Sequence, residues 1–236
     1  MSSQLNDPAV GQTVIDMSLQ RVIVADDHPL FRDALSNAVQ SGWPACDILA
    51  VGSFDELEQS LSRAPDIELI LLDLTMPGVQ GLSGLLQLRA EYPAIPVIVV
   101  SASDDPMTIR RCMDFGASGF VPKSAPDGRI REAVRSVLAG QLWSPPELDI
   151  AGEQDKEERD LIARLATLTP QHVRVLMLLD DEGVSNKEIA FRFGIKESTI
   201  KAHVSQILKR LGVDNRTQAS NLFKRVSTLD WQKTKD

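Results

Sequence analysis

The sequence predicts an α/β domain with a doubly wound, five-stranded parallel sheet, followed by a small all-α domain. Short uninterrupted apolar runs alternate with helical stretches over the first 140 residues, which is typical of a parallel sheet buried on both faces. Beyond residue 166 the apolar spacing is helical throughout. A length of 236 residues also suits two domains better than one core.

Five apolar runs are the candidate strands of the first domain. They are VIVA at 22–25, DILAV at 47–51, LILL at 69–72, VIVV at 97–100 and GFV at 119–121. The stretch SFDE at 53–56 has capping-box spacing and predicts the start of a helix. Apolar residues also recur with a helical period at 30–39 and at 130–138, so helices are expected there.

Polar residues follow four of these strands. Asp26 and Asp27 end the first strand, Asp73 ends the third, Ser101 ends the fourth and Lys123 follows the fifth. Because the carboxyl ends of parallel strands lie on one edge of the sheet, we expect the five side chains to converge on one cleft. Three carboxylates suit Mg²⁺, and a carboxylate can act as the nucleophile of phosphoryl transfer. A lone Asp or Lys would instead be a helix cap or a solvated side chain, so the prediction depends on convergence.

The motifs VADDH, LLDLTMPGVQGL, VVSAS and GFVPKS, in this order and spacing, resemble the receiver domain of bacterial two-component response regulators. The resemblance covers about residues 21–140 and implies the strand order 2-1-3-4-5. It implies that Asp73 accepts the phosphoryl group and that Ser101 and Lys123 hold its oxygens. The implied Mg²⁺ ligands are Asp27 directly, Asp26 mostly through water, Asp73, and the backbone carbonyl of Thr75. Phe120 corresponds to a switch residue and, lacking a hydroxyl, would act through packing alone; it would otherwise be ordinary core.

The second domain contains two helices joined by a short glycine-bearing turn. Thr169 caps a helix that has Pro170 at its first position, Ser185 and Glu188 form a capping box, and Gly194 ends that helix. After the turn GIK, the stretch ESTIKAHVSQILKRLG has one apolar and one cationic face, and a last helix begins near Asn215. This pattern fits a helix-turn-helix or a small bundle with a solvated lysine face, and periodicity alone does not decide between them.

The segments LTPQHVRVL and GVSNKEIAFRFGIKESTIKAHVSQILKRLGVDNRTQA resemble the LuxR-type DNA-binding domain over about residues 166–227. Joined to a receiver, this is similar to the NarL/FixJ family of transcriptional regulators. The resemblance implies base reading by Lys201, Ala202 and Ser205, phosphate contacts from Lys187, Thr199, His203 and Lys209, and dimer contacts from Val213, Asn215, Ala219 and Leu222. Many members have Arg-Glu where Gln171 and His172 stand, and a serine cap where Lys196 stands.

The sequence predicts the bounds of the domains, and the distribution of charge predicts the kind of partner. We expect a disordered extension at 1–20, the receiver at 21–140, a linker with a charged helix at 141–165, the DNA-binding domain at 166–228 and a tail at 229–236. Residues 1–146 carry a net charge of -8, whereas residues 166–227 carry +4. A basic module on an acidic chain indicates a polyanionic partner at one end only.

Other classes of protein are disfavoured by the same composition. The first twenty residues have no signal-peptide core, and no run has the length of a membrane span, so a cytoplasmic protein without a membrane partner is expected. Cys46 and Cys112 are far apart, which argues against a disulfide framework or a zinc site.

The predicted function is a transcription factor, not an enzyme, in which the receiver only assists its own phosphoryl transfer and dephosphorylation. The implied partners are a sensor histidine kinase, double-stranded DNA, a second copy of the chain and RNA polymerase. One alternative is a DNA-binding regulator with a vestigial receiver, against which the full set of five site residues argues. Another is an Mg²⁺-dependent phosphatase of the haloacid dehalogenase class, which needs a second acid where Thr75 stands.

Overall fold

The computed structural model describes residues 18–79, 81–146, 156–179 and 184–227. The predicted extension and tail therefore lie almost wholly outside the described residues, as do residues 147–155 of the predicted linker. Within the described ranges, no helix is long and apolar enough to cross a membrane.

The first domain is an alternating β/α structure. Its strands are β1 (Arg21–Ala25), β2 (Asp47–Val51), β3 (Leu69–Asp73), β4 (Val97–Ser101) and β5 (Gly119–Pro122). Its helices are α1 (Pro29–Gly42), α2 (Phe54–Arg63), α3 (Ser83–Glu91), α4 (Pro106–Asp114) and α5 (Asp127–Leu138). All strand pairs are parallel and the order is β2-β1-β3-β4-β5, which confirms the predicted fold class.

Alternate residues of each strand enter two different cores. Val22 and Val24 of β1 pack with α1 and α5 on one face, whereas Ile23 and Ala25 pack with α2, α3 and α4 on the other. The other buried strands divide in the same way, because successive side chains of a strand point to opposite faces. This two-sided burial is the reason that the strands are apolar without interruption.

The start of α2 follows the predicted cap at Ser53, while Glu56 Oε2 accepts from the N–H of Gly52. Ser53 Oγ accepts a hydrogen bond from the backbone N–H of Glu56 at 3.2 Å, which starts α2. Pro29 and Pro106 occupy first-turn positions of α1 and α4, where no intrahelical donor is lost.

The outer edge of β5 is covered by the chain that leaves α5. The backbone N–H of Phe120 donates to the carbonyl of Trp143 at 3.0 Å, and the N–H of Trp143 donates to Ser118 at 3.1 Å. The Trp143 ring is buried with the α1 and α5 core. Residues beyond α5 are thus joined to the sheet before the chain continues toward the second domain.

The second domain contains five helices among the described residues. They are α6 (Lys156–Leu165), α7 (Pro170–Leu179), α8 (Asn186–Phe193), α9 (Glu197–Leu211) and α10 (Arg216–Ser227). Helix α6 falls within the segment 141–165, which we predicted as a linker, and its Leu161, Ile162 and Leu165 are buried where it packs on α9 and α10. The capping box at Ser185 and Glu188 is present, and Gly194 ends α8 with φ 63°.

Gly84 is a site where close packing of α2 against α3 requires the absence of a side chain. A Cβ there would lie 3.0 Å from Phe54 Cε2 and 3.2 Å from Val79 Cγ2. We expect Gly84→Ala to lower the free energy of unfolding of the first domain by about 1–3 kcal/mol, the usual cost of overpacking. Differential scanning calorimetry of the full chain measures this effect.

Gly128→Ala is the matched control, because a Cβ at this position in α5 would meet no described atom within 4 Å. It should raise the free energy of unfolding by roughly 0.5–1 kcal/mol, since alanine loses less backbone entropy in a helix than glycine. Equal effects of the two substitutions would contradict the packing described for α2 and α3.

Candidate functional site

The ends of β1 and β3 bring three carboxylates together. Asp26 and Asp27 directly follow β1, and Asp73 is the last residue of β3. One candidate ligand atom from each of Asp26, Asp27, His28 and Asp73 lies within 4.8 Å of the others. The predicted convergence of these three aspartates is therefore seen in the structure.

Lys123 lies among these carboxylates. Its Nζ is 2.6 Å from Asp26 Oδ2 and 3.0 Å from Asp73 Oδ2. Asp26 and Asp73 are 0 % and 1 % exposed, so their mutual repulsion is poorly screened by water. The positive charge of the ammonium group offsets part of the free-energy cost of burying the two carboxylates, because buried charges require a partner of opposite sign.

The two oxygens of Asp73 have different surroundings. Oδ2 accepts hydrogen bonds from Thr75 Oγ1 at 2.8 Å and from Lys123 at 3.0 Å. Oδ1 is buried and accepts no hydrogen bond from any described residue. A buried oxygen without a donor, beside two further carboxylates, fits a hard cation such as Mg²⁺ or a nucleophilic role.

Ser101 and Phe120 occupy the neighbouring strand ends. Ser101 is buried, its Oγ accepts from the N–H of Ser103 at 3.2 Å, and its carbonyl accepts from the N–H of Lys123 at 2.6 Å. Phe120 is fully buried in the core on the α2, α3 and α4 side of the sheet. The ends of β4 and β5 thus place Ser101 next to Lys123.

Sequence reasoning missed several contacts of the cluster. The Phe31 ring lies under the ammonium of Lys123, with Nζ 4.7 Å from the ring centroid, and Arg32 donates to the carbonyl of Asp26 at 2.6 Å. His28 Nδ1 is 2.7 Å from Asp27 Oδ1, beside the carboxylates. Only the position of these residues at the start of α1, just after the two aspartates, pointed to the site.

In the second domain, α8 and α9 form a helix-turn-helix with an exposed polar face on α9. Lys201, Ala202, Ser205 and Lys209 are exposed, while Ile200, Ile207 and Leu211 are buried on the opposite side. Lys196 precedes α9 and makes no side-chain cap, as its replacement of a capping serine predicts. The face of α9 that carries these four residues is therefore exposed to solvent as far as the described residues of the chain show.

The predicted phosphate-contacting residues differ in exposure. Lys187 and Thr199 are exposed, but His203 is half-buried, and its ring lies edge-on to His172 with 5.5 Å between centroids. Lys201 Nζ is 2.9 Å from Glu197 Oε1 in the preceding turn. This contact lowers the pKa of Glu197, mainly through the hydrogen bond from Lys201.

The four residues predicted at a dimer contact lie at the end of α9 and along α10. Asn215 is exposed, and Val213 and Leu222 are half-buried. Ala219 is fully buried against the core of its own domain, so its side chain supports α10 from inside.

The carboxyl end of α9 is held by two arginines. Arg164 of α6 donates to the carbonyl of Leu211 at 2.6 Å, and Arg210 donates to the carbonyl of Thr167. Gly212 then ends α9 with φ 68°. Helix α6 thereby fixes the helix that carries the exposed lysines.

Comparison with known families matches both domains separately. Residues 22–135 match the model described as "Response regulator receiver domain", and residues 166–223 match "Bacterial regulatory proteins, luxR family". These ranges contain the carboxylate cluster and the helix-turn-helix, respectively.

Similar proteins extend over most of the chain. The "Glycerol metabolism activator" of Pseudomonas putida is 39% identical over 207 residues, covering 85% of this chain and 93% of that protein. The "Nitrate/nitrite response regulator protein NarP" of Escherichia coli K12 is 30% identical, covering 86% and 94%. A solved structure of the Salmonella typhimurium RcsB response regulator has a TM-score of 0.52 at 21% identity, covering 88% of this chain and 99% of that one. It shows a shared fold.

The burial of His172 predicts that the stability of the second domain depends on pH. Burial, His203 and Arg210 lower the pKa of His172, and its Nδ1 accepts a long hydrogen bond, 3.5 Å, from the N–H of Thr169. The unfolded chain therefore binds a proton on His172 at higher pH than the folded domain does. Stability from this residue is complete above its ordinary pKa of about 6.5 and is lost as the pH falls below that value.

We expect the second domain to unfold at a lower denaturant concentration at about pH 5.5 than at about pH 7.5, and His172→Gln to reduce the difference. Urea titration of the full chain, followed by circular dichroism, measures the transition. His28→Gln serves as the control because His28 is exposed in the first domain. An unchanged pH dependence in His172→Gln would remove His172 as its source.

Proposed function

This chain belongs to the NarL/FixJ family of two-component response regulators, and we propose that phosphorylation of Asp73 by a partner histidine kinase controls its binding to DNA. The observation that carries the proposal is the state of Asp73. Its Oδ1 is buried without a hydrogen-bond donor, while its Oδ2 contacts Lys123 and Thr75. One oxygen is therefore available as a nucleophile, and the other is held by groups of complementary polarity.

Asp26, Asp27, Asp73 and the backbone carbonyl of Thr75 would hold Mg²⁺ at this cluster. Bound Mg²⁺ supplies positive charge near the transferring phosphoryl group. The clustering of the three carboxylates supports this assignment, because oxygen ligands in a small polar cleft are what a hard cation prefers.

Asp73 Oδ1 would attack phosphorus, and the bond from phosphorus to the kinase histidine would break. Lys123 already lies 3.0 Å from Asp73 and would move its charge to a phosphoryl oxygen. Ser101, whose carbonyl accepts a hydrogen bond from the N–H of Lys123, would donate a hydrogen bond from its hydroxyl to another phosphoryl oxygen. Thr75 occupies the position where a phosphatase of the haloacid dehalogenase class requires a second acid, so the reaction would stop at the aspartyl phosphate until water hydrolyses it.

Phe120 would report the phosphorylated state by repacking. Phe120 lies in β5, the strand that Lys123 follows, and is fully buried, so any change in its rotamer must displace neighbouring apolar side chains. The phosphoryl group shifts the population only by interacting more favourably with one of the two arrangements.

The second domain would place α9 in the major groove. Lys201, Ala202 and Ser205 would read base edges, and Lys187, Thr199, His203 and Lys209 would contact phosphates. The exposure of the polar face of α9 supports this assignment. A second copy of the chain would contact Val213, Asn215 and Leu222, with Ala219 supporting the helix, and RNA polymerase would be the further partner at a promoter.

The phosphorylation proposal is tested by incubating the full chain with Mg²⁺ and a small phosphodonor. We expect one phosphoryl group on the wild type and none on Asp73→Asn, because asparagine lacks the nucleophilic carboxylate. Intact-mass spectrometry measures the modification, and light scattering measures the accompanying shift toward a dimer. Chelation of Mg²⁺ should suppress the modification.

Asp104→Asn is the control for the loss of one charge near the site, since Asp104 is exposed in the loop after β4. It should be modified as the wild type is. Modification of Asp73→Asn would exclude Asp73 as the phosphoacceptor, and an unmodified wild type that is already a dimer would indicate a vestigial receiver.

DNA recognition is tested by comparing two lysines of α9 on duplexes selected from a random pool. Lys201→Ala should lose about 1–3 kcal/mol of discrimination between selected and scrambled duplexes, because a base contact is removed. Lys209→Ala should weaken binding to both and reduce the salt slope by about 0.9, because one phosphate contact is lost. Fluorescence anisotropy at several salt concentrations measures both. If the two variants had the same discrimination and the same salt slope, the assignment of a base contact to Lys201 and a phosphate contact to Lys209 would be wrong.

A further inference from the structure

Helix α3 is buried on more sides than a helix on the surface of a sheet requires. All residues from Ser83 to Leu88 are buried, including the polar Gln87. Helix α2, on the same face of the sheet, buries only Phe54, Leu57 and Leu61 as one stripe and exposes the acidic residues of its first turn. A helix buried all round needs a second partner besides the sheet.

That partner is helix α7 of the second domain. Helices α3 and α7 pack together, and the apolar core on this side of the sheet continues into the core of the second domain. A cavity of about 240 Å³ lies at the junction and is lined by Gln87 of α3 and by Arg174, Met177, Leu178, Arg192 and Phe193. Apolar and polar side chains of both domains therefore meet at this surface.

A charged pair crosses the junction. Arg174 Nε of α7 lies 3.3 Å from Glu91 Oε1 at the end of α3. The Arg174 guanidinium also lies 5.6 Å from the ring centroid of Phe193, on its own domain. The aromatic contact limits the positions that the guanidinium can take.

Two further polar groups of the first domain belong to the same network. Gln87 Nε2 donates to Glu58 Oε1 at 2.5 Å and to Glu91 Oε1 at 3.5 Å. Burial raises the pKa of Glu58, Arg174 lowers it, and Glu91 and Asp55 raise it further. Glu58 and Glu91 of the first domain thus both interact electrostatically with Arg174 across the junction.

We propose that the α2–α3 face, defined by Glu58, Gln87 and Glu91, is a docking site for the DNA-binding domain of the same chain, with Arg174 as its charged anchor. The continuous core and the charge complementarity identify the occupant as α7. The exposed lysines of α9 are not covered in this arrangement. Docking therefore fixes the second domain in space without blocking the surface proposed to contact DNA, and this inference does not depend on phosphorylation of Asp73.

The test measures the distance between the domains in the full chain. Spin labels at Asn37→Cys on α1 and Gln206→Cys on α9, both exposed positions, report it by double electron–electron resonance. The two native cysteines are buried and should label poorly. We expect one narrow distance distribution that persists when labelled protein is diluted with unlabelled protein.

Charge reversal tests the anchor. Arg174→Glu should lose the narrow distribution, Glu91→Arg should do the same, and the double variant with exchanged charges should recover it. Arg225→Glu on α10 makes the same charge change at an exposed position and should leave the distribution narrow. Circular dichroism confirms that each variant is folded.

Four outcomes would overturn the proposal. A broad distribution in the wild type would mean that the domains do not dock, and loss of the narrow distribution on dilution would mean that the docked domain comes from a second copy. An unchanged distribution in Arg174→Glu, or failure of the exchanged pair to recover it, would show that Arg174 is not the anchor.

Discussion

The first domain's polar centre depends on the contact of the Lys123 ammonium, whose side chain is 14% exposed, with two buried carboxylates. Asp26 and Asp73 are almost completely removed from water, so water screens the repulsion between their carboxylates poorly. Lys123 contacts both of them, and its backbone N–H also joins the end of β5 to the carbonyl of Ser101 at the end of β4. Charge balance and strand geometry are therefore set by one residue that lies fifty positions beyond Asp73. Any group that adds or removes charge at Asp73 must therefore compete with the contact between Lys123 and Asp73.

Much of the first domain was predictable because each strand carries its own signal. Buried parallel strands need unbroken apolar runs, so β1 to β5 were found within one residue at either end, and their carboxyl ends located the three aspartates together. The caps at Ser53 and Ser185 and the missing cap at Lys196 were also correct, since capping depends on residues within one turn. These features are local in the chain, or follow from the topology of the sheet.

The contacts that the sequence did not predict join residues far apart in the chain. Nothing within α3 or α7 indicates that Glu91 meets Arg174, because the two domains come together through tertiary packing. The contact between the Phe31 ring and Lys123 and the hydrogen bond from Arg164 to the carbonyl of Leu211 also arise from tertiary packing. Helix α3 carried a signal of another kind: it has no polar stripe from Ser83 to Leu88, and in retrospect this absence indicates a second covered side.

The attachment of Trp143 to β5 sets the length of the tether between the domains. Only residues 144–155 separate this attachment from the start of α6, and a chain of that length spans at most about 40 Å. A tether of this length holds the two domains at an effective concentration on the order of millimolar. Separate domains with a dissociation constant near that concentration would bind each other weakly and would rarely associate in dilute solution. Within one chain, the same weak affinity is enough for frequent association, and modest changes in it are enough to reverse the balance.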